Sequence, residues 1–174
     1  MGRQRGEILG VLNFGASSSN FVVLRNGETL FSRDISIGGQ NHTLEIHKTL
    51  GMSIEEAEAM KISVSNGQEA PQEVLNAIQV VNDSLLDELK SALDFITATM
   101  DGLQVSKIYF TGGAADTPNL VRSLEQGVQV PFQRFNAFNK VTSIGKGVDK
   151  NFLQSAARFA AIAVGLGCRK LGDV

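Results

Sequence analysis

ILGVLNFGASSSNFVVLRNGETLFSRDISIGG, residues 8–39, reads as strand, small-residue turn, strand, Asn-Gly turn and strand. Ile8, Leu9, Val11, Leu12 and Phe14 form a short apolar run dense enough for a buried strand. The chain then turns through Gly15, Ala16, Ser17, Ser18, Ser19 and Asn20. Such small side chains leave backbone N–H groups and hydroxyls uncovered, and a compact oxyanion is what a turn of this kind can hold. Phe21 to Leu24 supply the second strand. Asn26-Gly27 suits the two positive φ values of a tight type I′ hairpin, and Thr29 to Ile37 return as a third strand. On these residues alone, an ordinary meander with a serine-rich loop stands beside the phosphate-holding hairpin.

Beyond Gly38-Gly39 the apolar period changes from two to helical. Thr43, Leu44, Ile46, His47 and Leu50 suit an amphipathic helix ended by Gly51. Ser53 opens a second helix, with Glu56 three residues on as its capping-box partner, and that helix fades at Asn66-Gly67. Pro71 starts a long helix striped by Leu75, Ile78, Leu85, Leu89, Leu93, Ile96 and Met100. It runs to Met100 or breaks near Asn82-Asp83. Lys107 to Thr111 is a buried-looking strand followed at once by Gly112, Gly113 and Ala114. Glycine there lets a flat ring or a phosphate approach the backbone, although strand–Gly-Gly–helix turns are common. A helix is expected over Pro118 to Glu125, stopping near Gly127, then a short strand over Pro131 to Phe135 and a loop over Asn136 to Lys150. The last helix, Asn151 to Leu171, is rich in Ala and Gly and would lie close on a sheet. Glu58 and Lys61 sit one turn apart on the second helix, with Ser65 a turn further. They read either as site residues or as an exposed ion pair of little energetic weight.

The 174 residues suit one domain with a small insert, and 43% hydrophobic against 20% charged residues can build a core. A net charge of −2 without a basic block argues against nucleic-acid binding. The lone Cys168, in an apolar run, reads as a buried structural thiol in a reducing compartment. His42 and His47 sit five apart without a Cys or acidic cluster at ligand spacing, so no metal site is assigned. Phe159 to Cys168 is about half the roughly 20 apolar residues a membrane helix needs, so direct membrane insertion is not expected. Gly145-Lys146-Gly147 is not a P-loop and Gly165-Leu166-Gly167 is not a dinucleotide fingerprint. No Ser/His/Asp set or other catalytic group is identified.

The order of hairpin, acid–lysine helix, strand–Gly-Gly turn and small-residue closing helix resembles the second half of the actin-like ATPase fold. The wording FSRDISIGGQNHTLEI, SIEEAEAMK, IYFTGGAADTPNLVRSLEQGVQVPF and AVGLGCRKL is similar to the PilM/FtsA branch of that superfamily, and most similar to the PilM family of type IV pilus assembly. The likeness runs from about Ile8 onward. It implies an α/β, ribonuclease H-like lobe: a mixed sheet with helices on both faces and a small helical insertion. Residues 8–39 and 90–174 would form the nucleotide-facing core (IIA-like), 40–89 the inserted helical subdomain (IIB-like), and 1–7 a loose N-terminus.

The resemblance also implies a site. Gly15, Ala16, Ser17, Ser18, Ser19 and Asn20 would match the second phosphate loop. Glu58 and Lys61 would match the residues that contact ribose and adenine, and Gly112, Gly113 and Ala114 the adenosine loop. The cofactor would be ATP or ADP with Mg. Where the family has Asp-Ile-Gly this chain has Asn13-Phe14-Gly15, and the neutral Asn13 removes an acid that would help hold the metal through water. The first half of the fold does not precede Ile8, so the sequence reads as a shortened chain, a natural fragment or one part of a split protein. Nucleotide binding would then be weak and hydrolysis absent, because one cleft wall cannot exclude water. The expected role is a cytoplasmic scaffold, peripheral to the inner membrane, in type IV pilus assembly. Its PilN-like partners would dock through the missing half, and two copies of this chain could pair through the open cleft face. The rival is a nucleotide-free interaction module of an FtsA-like or GspL-like assembly protein; a sugar-kinase-type enzyme completed in trans ranks below both.

Overall fold

The computed structural model describes residues 6–139, 141, 149, 152–153 and 156–169. Five strands form one mixed sheet in the order β3-β2-β1-β4-β5. β1 (Ile8–Phe14) pairs antiparallel with β2 (Ser19–Arg25), which pairs antiparallel with β3 (Glu28–Ile35). On its other edge β1 runs parallel to β4 (Lys107–Thr111), which runs parallel to β5 (Phe132–Arg134). The β2–β3 hairpin closes through Asn26 at φ 53° and Gly27 at φ 86°, the pair of positive values that its Asn-Gly dipeptide favours.

A parallel β1–β4 pair needs a long crossover, and three helices supply it. These are α1 (Gly39–Leu50), α2 (Ile54–Ser65) and α3 (Gln72–Thr99). Gly51, at φ 67°, ends α1 and donates its N–H to the His47 carbonyl. At the start of α2, Ser53 Oγ accepts the Glu56 N–H while Glu56 Oε2 accepts the Ser53 N–H at 2.8 Å, a complete capping box. α3 is unbroken at Asn82-Asp83. Asn82 is tolerated there because both ends of its amide are used: Oδ1 meets His42 Nε2 at 3.0 Å and Nδ2 donates to the Pro118 carbonyl. At 28 residues, α3 is about 42 Å long and serves two apolar clusters. Its first half packs Val74, Ala77 and Ile78 on Ile46, Ala57 and Val64 of α1 and α2. Its second half packs Leu85, Leu89, Ala92 and Ile96 on Leu12, Phe14, Phe21, Val23 and Ile108 of the sheet. The period-two alternation of strand side chains sorts Leu12 and Phe14 onto this face and leaves Val11 and Asn13 half-buried on the other.

Three expectations need correction. The helix after β4, α4 (Leu120–Val128), begins two residues later than Pro118 and runs through Gly127. That glycine does not stop it, and a Cβ there would lie 2.5 Å from Leu86 of α3, so its smallness serves helix–helix approach. The helix ends at Gln129, φ 56°. The closing segment is not one helix on the sheet. Residues 152, 153 and 156 are helical, 157–159 turn, and α5 (Ala161–Gly167) follows with no buried residue and open space around Gly165 and Gly167. The interruption has a tertiary cause. The Arg158 carbonyl accepts the Gly112 N–H at 2.9 Å and the Thr111 hydroxyl at 3.2 Å, and this docks the turn onto the end of β4. Cys168 at the end of α5 is exposed, which corrects the expectation of a buried thiol.

Gly145-Lys146-Gly147, residues 1–5 and residues 170–174 lie outside the described residues. Among the described residues no helix is long and apolar enough to cross a membrane.

Candidate functional site

The turn after β1 is braced from below. Gly15 N–H donates to the Ser18 carbonyl at 3.0 Å, and the Gly15 and Ala16 carbonyls accept the Gly39 and Gln40 N–H groups at 3.0 and 2.7 Å. The first N–H groups of α1, which have no partner within their own helix, are thus satisfied by the turn. Gly38 has to be glycine for this fit, since a Cβ would stand 2.6 Å from the Ala16 carbonyl oxygen. The N–H groups of Ala16, Ser17 and Ser18 go to no other described backbone carbonyl. Ser19 and Asn20 belong instead to β2. The buried Ser19 hydroxyl donates to the Ile37 carbonyl at 2.7 Å, and the Asn20 amide donates to Asp34 at 2.6 Å while facing Asn13. Those two side chains are spent in holding the sheet together.

Glu58 and Lys61 are not an exposed surface pair. The Lys61 side chain is 12% exposed. Its ammonium donates to Glu58 Oε2 at 2.7 Å, Thr43 Oγ1 at 2.8 Å and the Gly39 carbonyl at 3.0 Å. The Thr43 hydroxyl in turn donates to Glu58 Oε2. Burial pushes the Glu58 carboxyl up, but the Lys61 and Thr43 hydrogen bonds outweigh it and hold its pKa below the ordinary value. Beneath the pair, His42 is buried and its pKa is lowered. Desolvation is the main cause and the Lys61 charge adds to it, against the raising effect of the Asn82 hydrogen bond and the nearby Gly38 backbone; His42 Nδ1 itself has no hydrogen-bond partner among the described residues. His42 is therefore neutral at pH 7, and its Nε2 carries the proton that Asn82 Oδ1 accepts.

The Gly112–Thr117 bend crosses the end of β1. Gly112 takes φ 106°, with a Cβ position 2.2 Å from the Phe14 carbonyl oxygen, and Ala114 N–H reaches that same carbonyl at 3.2 Å. Phe159 lies over Gly113, 3.1 Å from where a Cβ would be. Arg158 stacks its guanidinium 4.8 Å from the Phe159 ring centroid and donates to Asp116 at 2.9 Å. Arg134 of β5 holds the other Asp116 oxygen. Burial raises the Asp116 pKa, but the two arginines overcome it and the net shift is downward.

These three regions line one cleft of about 1150 Å³. Of the residues expected from sequence, Ala16, Glu58, Lys61, Gly113 and Ala114 line it, as does Ser65. Gly15, Ser17, Ser18, Ser19, Asn20 and Gly112 do not form its lining. Gly39 marks the meeting point. A Cβ there would be 3.1 Å from Ala114 Cβ, 3.7 Å from Lys61 Nζ and 3.8 Å from the Gly15 carbonyl oxygen. Sequence reasoning missed Thr43, Asp116, Arg158 and Phe159. Thr43 follows Gly39 by one helical turn, the one signal that could have found it. The cleft can present backbone N–H groups at one end, a carboxylate on a helix, and a flat aromatic–guanidinium wall. Among the described residues no three His, Cys, Asp or Glu side chains come close enough together to hold a metal ion.

Known structures share this architecture. The chain resembles a structure described as the PilM-PilN type IV pilus biogenesis complex at TM-score 0.80 and 24% identity, covering 94% of this chain and 46% of that one. MreB 5 of Spiroplasma citri bound to AMPPNP matches at 0.65 and 13%, covering 96% and 54%. The ethanolamine utilization protein EutJ from Carboxydothermus hydrogenoformans matches at 0.56 and 18%, covering 75% and 44%. The fold is that of the actin-like ATPases, and the chain spans about half the length of these relatives. The family model described as Type IV pilus assembly protein PilM matches residues 2–171, and the chain belongs to that family.

Proposed function

We propose that this chain is the nucleotide-facing lobe of a PilM-type protein, a nucleotide-binding cytoplasmic scaffold of type IV pilus assembly held beside the inner membrane by its partners. Residues 8–39 and 90–174 are its core and 40–89 its inserted subdomain. One observation carries this reading: Ala16 of the turn after β1, Glu58 and Lys61 of α2, and Gly113 and Ala114 of the bend after β4 come from distant parts of the chain and line one cleft. Ala16, the one turn residue that lines the cleft, has a backbone N–H with no described carbonyl partner that suits phosphate, and Gly113 with Phe159 and Arg158 offers a flat wall for a base. An actin-like relative is described as bound to AMPPNP, and another as a complex with PilN, which supports ATP or ADP as ligand and PilN-like proteins as partners. Magnesium would travel with the phosphates, since Asn13 is neutral and bonded to Asn20.

ATP titration of the purified chain tests the reading. High-micromolar binding without turnover is expected. Ala16→Asp, on an exposed cleft residue, should weaken ATP about tenfold or more by charge repulsion while leaving the melting temperature unchanged. Equal affinity in the two proteins refutes the assignment of the turn. The rival, a nucleotide-free interaction module, draws on the saturated Lys61 ammonium and the neutral Asn13, and it predicts no ATP binding in either protein.

A further inference from the structure

We infer that Asn82, buried in the middle of α3 and outside the lining of the cleft, is a positioning residue that ties α1 to the bend after β4 and so sets how far the cleft stands open. That this cleft takes a nucleotide rests on the reading above; the tie itself does not. Of the nine buried residues of α3, Asn82 alone is polar. It falls four residues after Ile78 and three before Leu85, in phase with the apolar stripe, where the helix period asks for another aliphatic side chain. Asparagine there forgoes apolar burial and helix propensity, so the contacts that retain it are specific ones. The Pro118 carbonyl can only accept, so the Asn82 Nδ2 has to point at it, at 3.0 Å. Oδ1 is thereby turned to His42 Nε2 on α1, also at 3.0 Å. Flipping the amide would set oxygen against the carbonyl, so one orientation is held. His42 is buried and its Nδ1 has no partner among the described residues, so the ring is anchored through Nε2.

His42, Asn82 and Pro118 do not line the cleft, but their chain neighbours do: Gln40 and Thr43 on α1, and Thr117 on the bend. The bend is stiff between Pro118 and the cleft. The Thr117 hydroxyl and N–H both donate to the Ala114 carbonyl, at 2.8 and 3.1 Å, so a shift of Pro118 carries Thr117 and Ala114 with it. On its other side α1 is fixed to the turn after β1 through the Gly39 and Gln40 N–H groups. With Asn82 in place, the turn, α1 and the bend form one connected frame, and the cleft lies within it. A polar residue that satisfies both ends of its amide inside an apolar layer holds one arrangement of the elements it joins, where an aliphatic side chain would tolerate several.

Two measurements on the purified chain test the tie. With the exposed Cys168 replaced by serine, nitroxide labels at Thr49→Cys on α1 and Arg122→Cys on α4 report the distance between these helices by pulsed electron paramagnetic resonance, with no ligand present. Both label positions are exposed and outside the cleft lining. Asn82→Leu, which keeps the helix and loses the tie, should lengthen or broaden that distance and weaken ATP about fivefold or more, the scale of a residue coupled to a site through its neighbours. His42→Gln keeps an N–H for Asn82 Oδ1 and should hold both readouts at the parent values, whereas His42→Leu should not. The double variant His42→Leu/Asn82→Leu removes both buried polar side chains, so its melting temperature should recover towards the parent while the distance and the affinity do not. It carries the test if Asn82→Leu does not fold. An unchanged label distance in these variants, or affinity recovering along with melting temperature in the double variant, would leave Asn82 a role in stability alone and overturn the inference. A parent chain that binds no ATP overturns the proposed function, and the label distances then decide the tie by themselves.

Discussion

Gly112 and Gly113 are adjacent, identical in chemistry, and predicted to fail in different ways when each is replaced by alanine. Gly112 stands at φ 106°, where an L side chain is strained, and its Cβ would sit 2.2 Å from the Phe14 carbonyl oxygen and 2.6 Å from the Phe14 C and N atoms. Those are backbone atoms of β1 at the point where it lies beside β4, so they cannot yield as a side-chain tip would. Backbone strain costs about 1–3 kcal/mol, and the overpacking adds about 1–3 kcal/mol. The lower entropy of unfolded alanine returns about 0.4–1 kcal/mol. The net loss is about 2–5 kcal/mol, which in a domain of this size lowers the melting temperature by roughly 5–15 °C.

Gly113 has no positive φ, and its Cβ would meet Phe159 Cε1 at 3.1 Å, part of a ring that is 58% exposed and free to shift. Gly113→Ala should therefore cost under about 1 kcal/mol in stability, in the range of ordinary surface substitutions. Its effect should appear in ATP affinity, because the methyl group would press on Phe159 and both residues line the cleft. Thermal unfolding followed by circular dichroism, beside ATP titration, separates the two glycines. Similar melting temperatures for the two variants, or a loss below about 1 kcal/mol for Gly112→Ala, would refute the claim that the bend crosses β1 too closely for any side chain.

Three further outcomes follow from single groups. The His42 pKa is depressed below the ordinary histidine value of 6.5, so the unfolded chain takes up a proton that the folded one refuses, and stability is lost as pH falls below that value. Urea midpoints measured from about pH 7.5 to 5.5 should decline in the parent and decline less in His42→Asn, the change in slope being the reading. Asp116 is also depressed, from 3.8, so its bonds to Arg134 and Arg158 stabilise the fold above the ordinary carboxylate range and are lost below it. With a partly exposed site, Asp116→Asn should cost about 1 kcal/mol or less at pH 7 by chemical denaturation, and nothing once the pH is low enough to protonate the parent's carboxylate. Ser53→Ala removes the α2 cap and should lower stability by about 1 kcal/mol, with Ser53→Asp restoring most of it.

What the sequence showed and what it concealed divide along the distance over which each feature is decided. The β2–β3 hairpin was legible because Asn26-Gly27 sets its own φ values. α1 and α2 were legible because Gly51 and the Ser53/Glu56 box act within a turn of the ends they mark. The extent of α3 was open at Asn82-Asp83 because its continuity depends on His42 and Pro118, which are 40 and 36 residues away. The Ala/Gly run after Asn151 fits a continuous helix equally well in composition, and only the Gly112 N–H and Thr111 hydroxyl taking the Arg158 carbonyl decide otherwise. The same division runs through the site. Glu58 and Lys61, as an i, i+3 pair, look like any solvated pair, and the acceptors that bury the lysine are on α1, 18 and 22 residues earlier. Asp116 and Arg158, 42 residues apart, belong to no motif, and Arg158 reads in sequence as the edge of an apolar run. A site assembled from turns can be read as a set of turns, since each is a local chemical decision. Which groups within it are spent on one another and which remain for a ligand is settled only by contacts between turns. Ser19 and Lys61 are therefore the residues whose reading changed most.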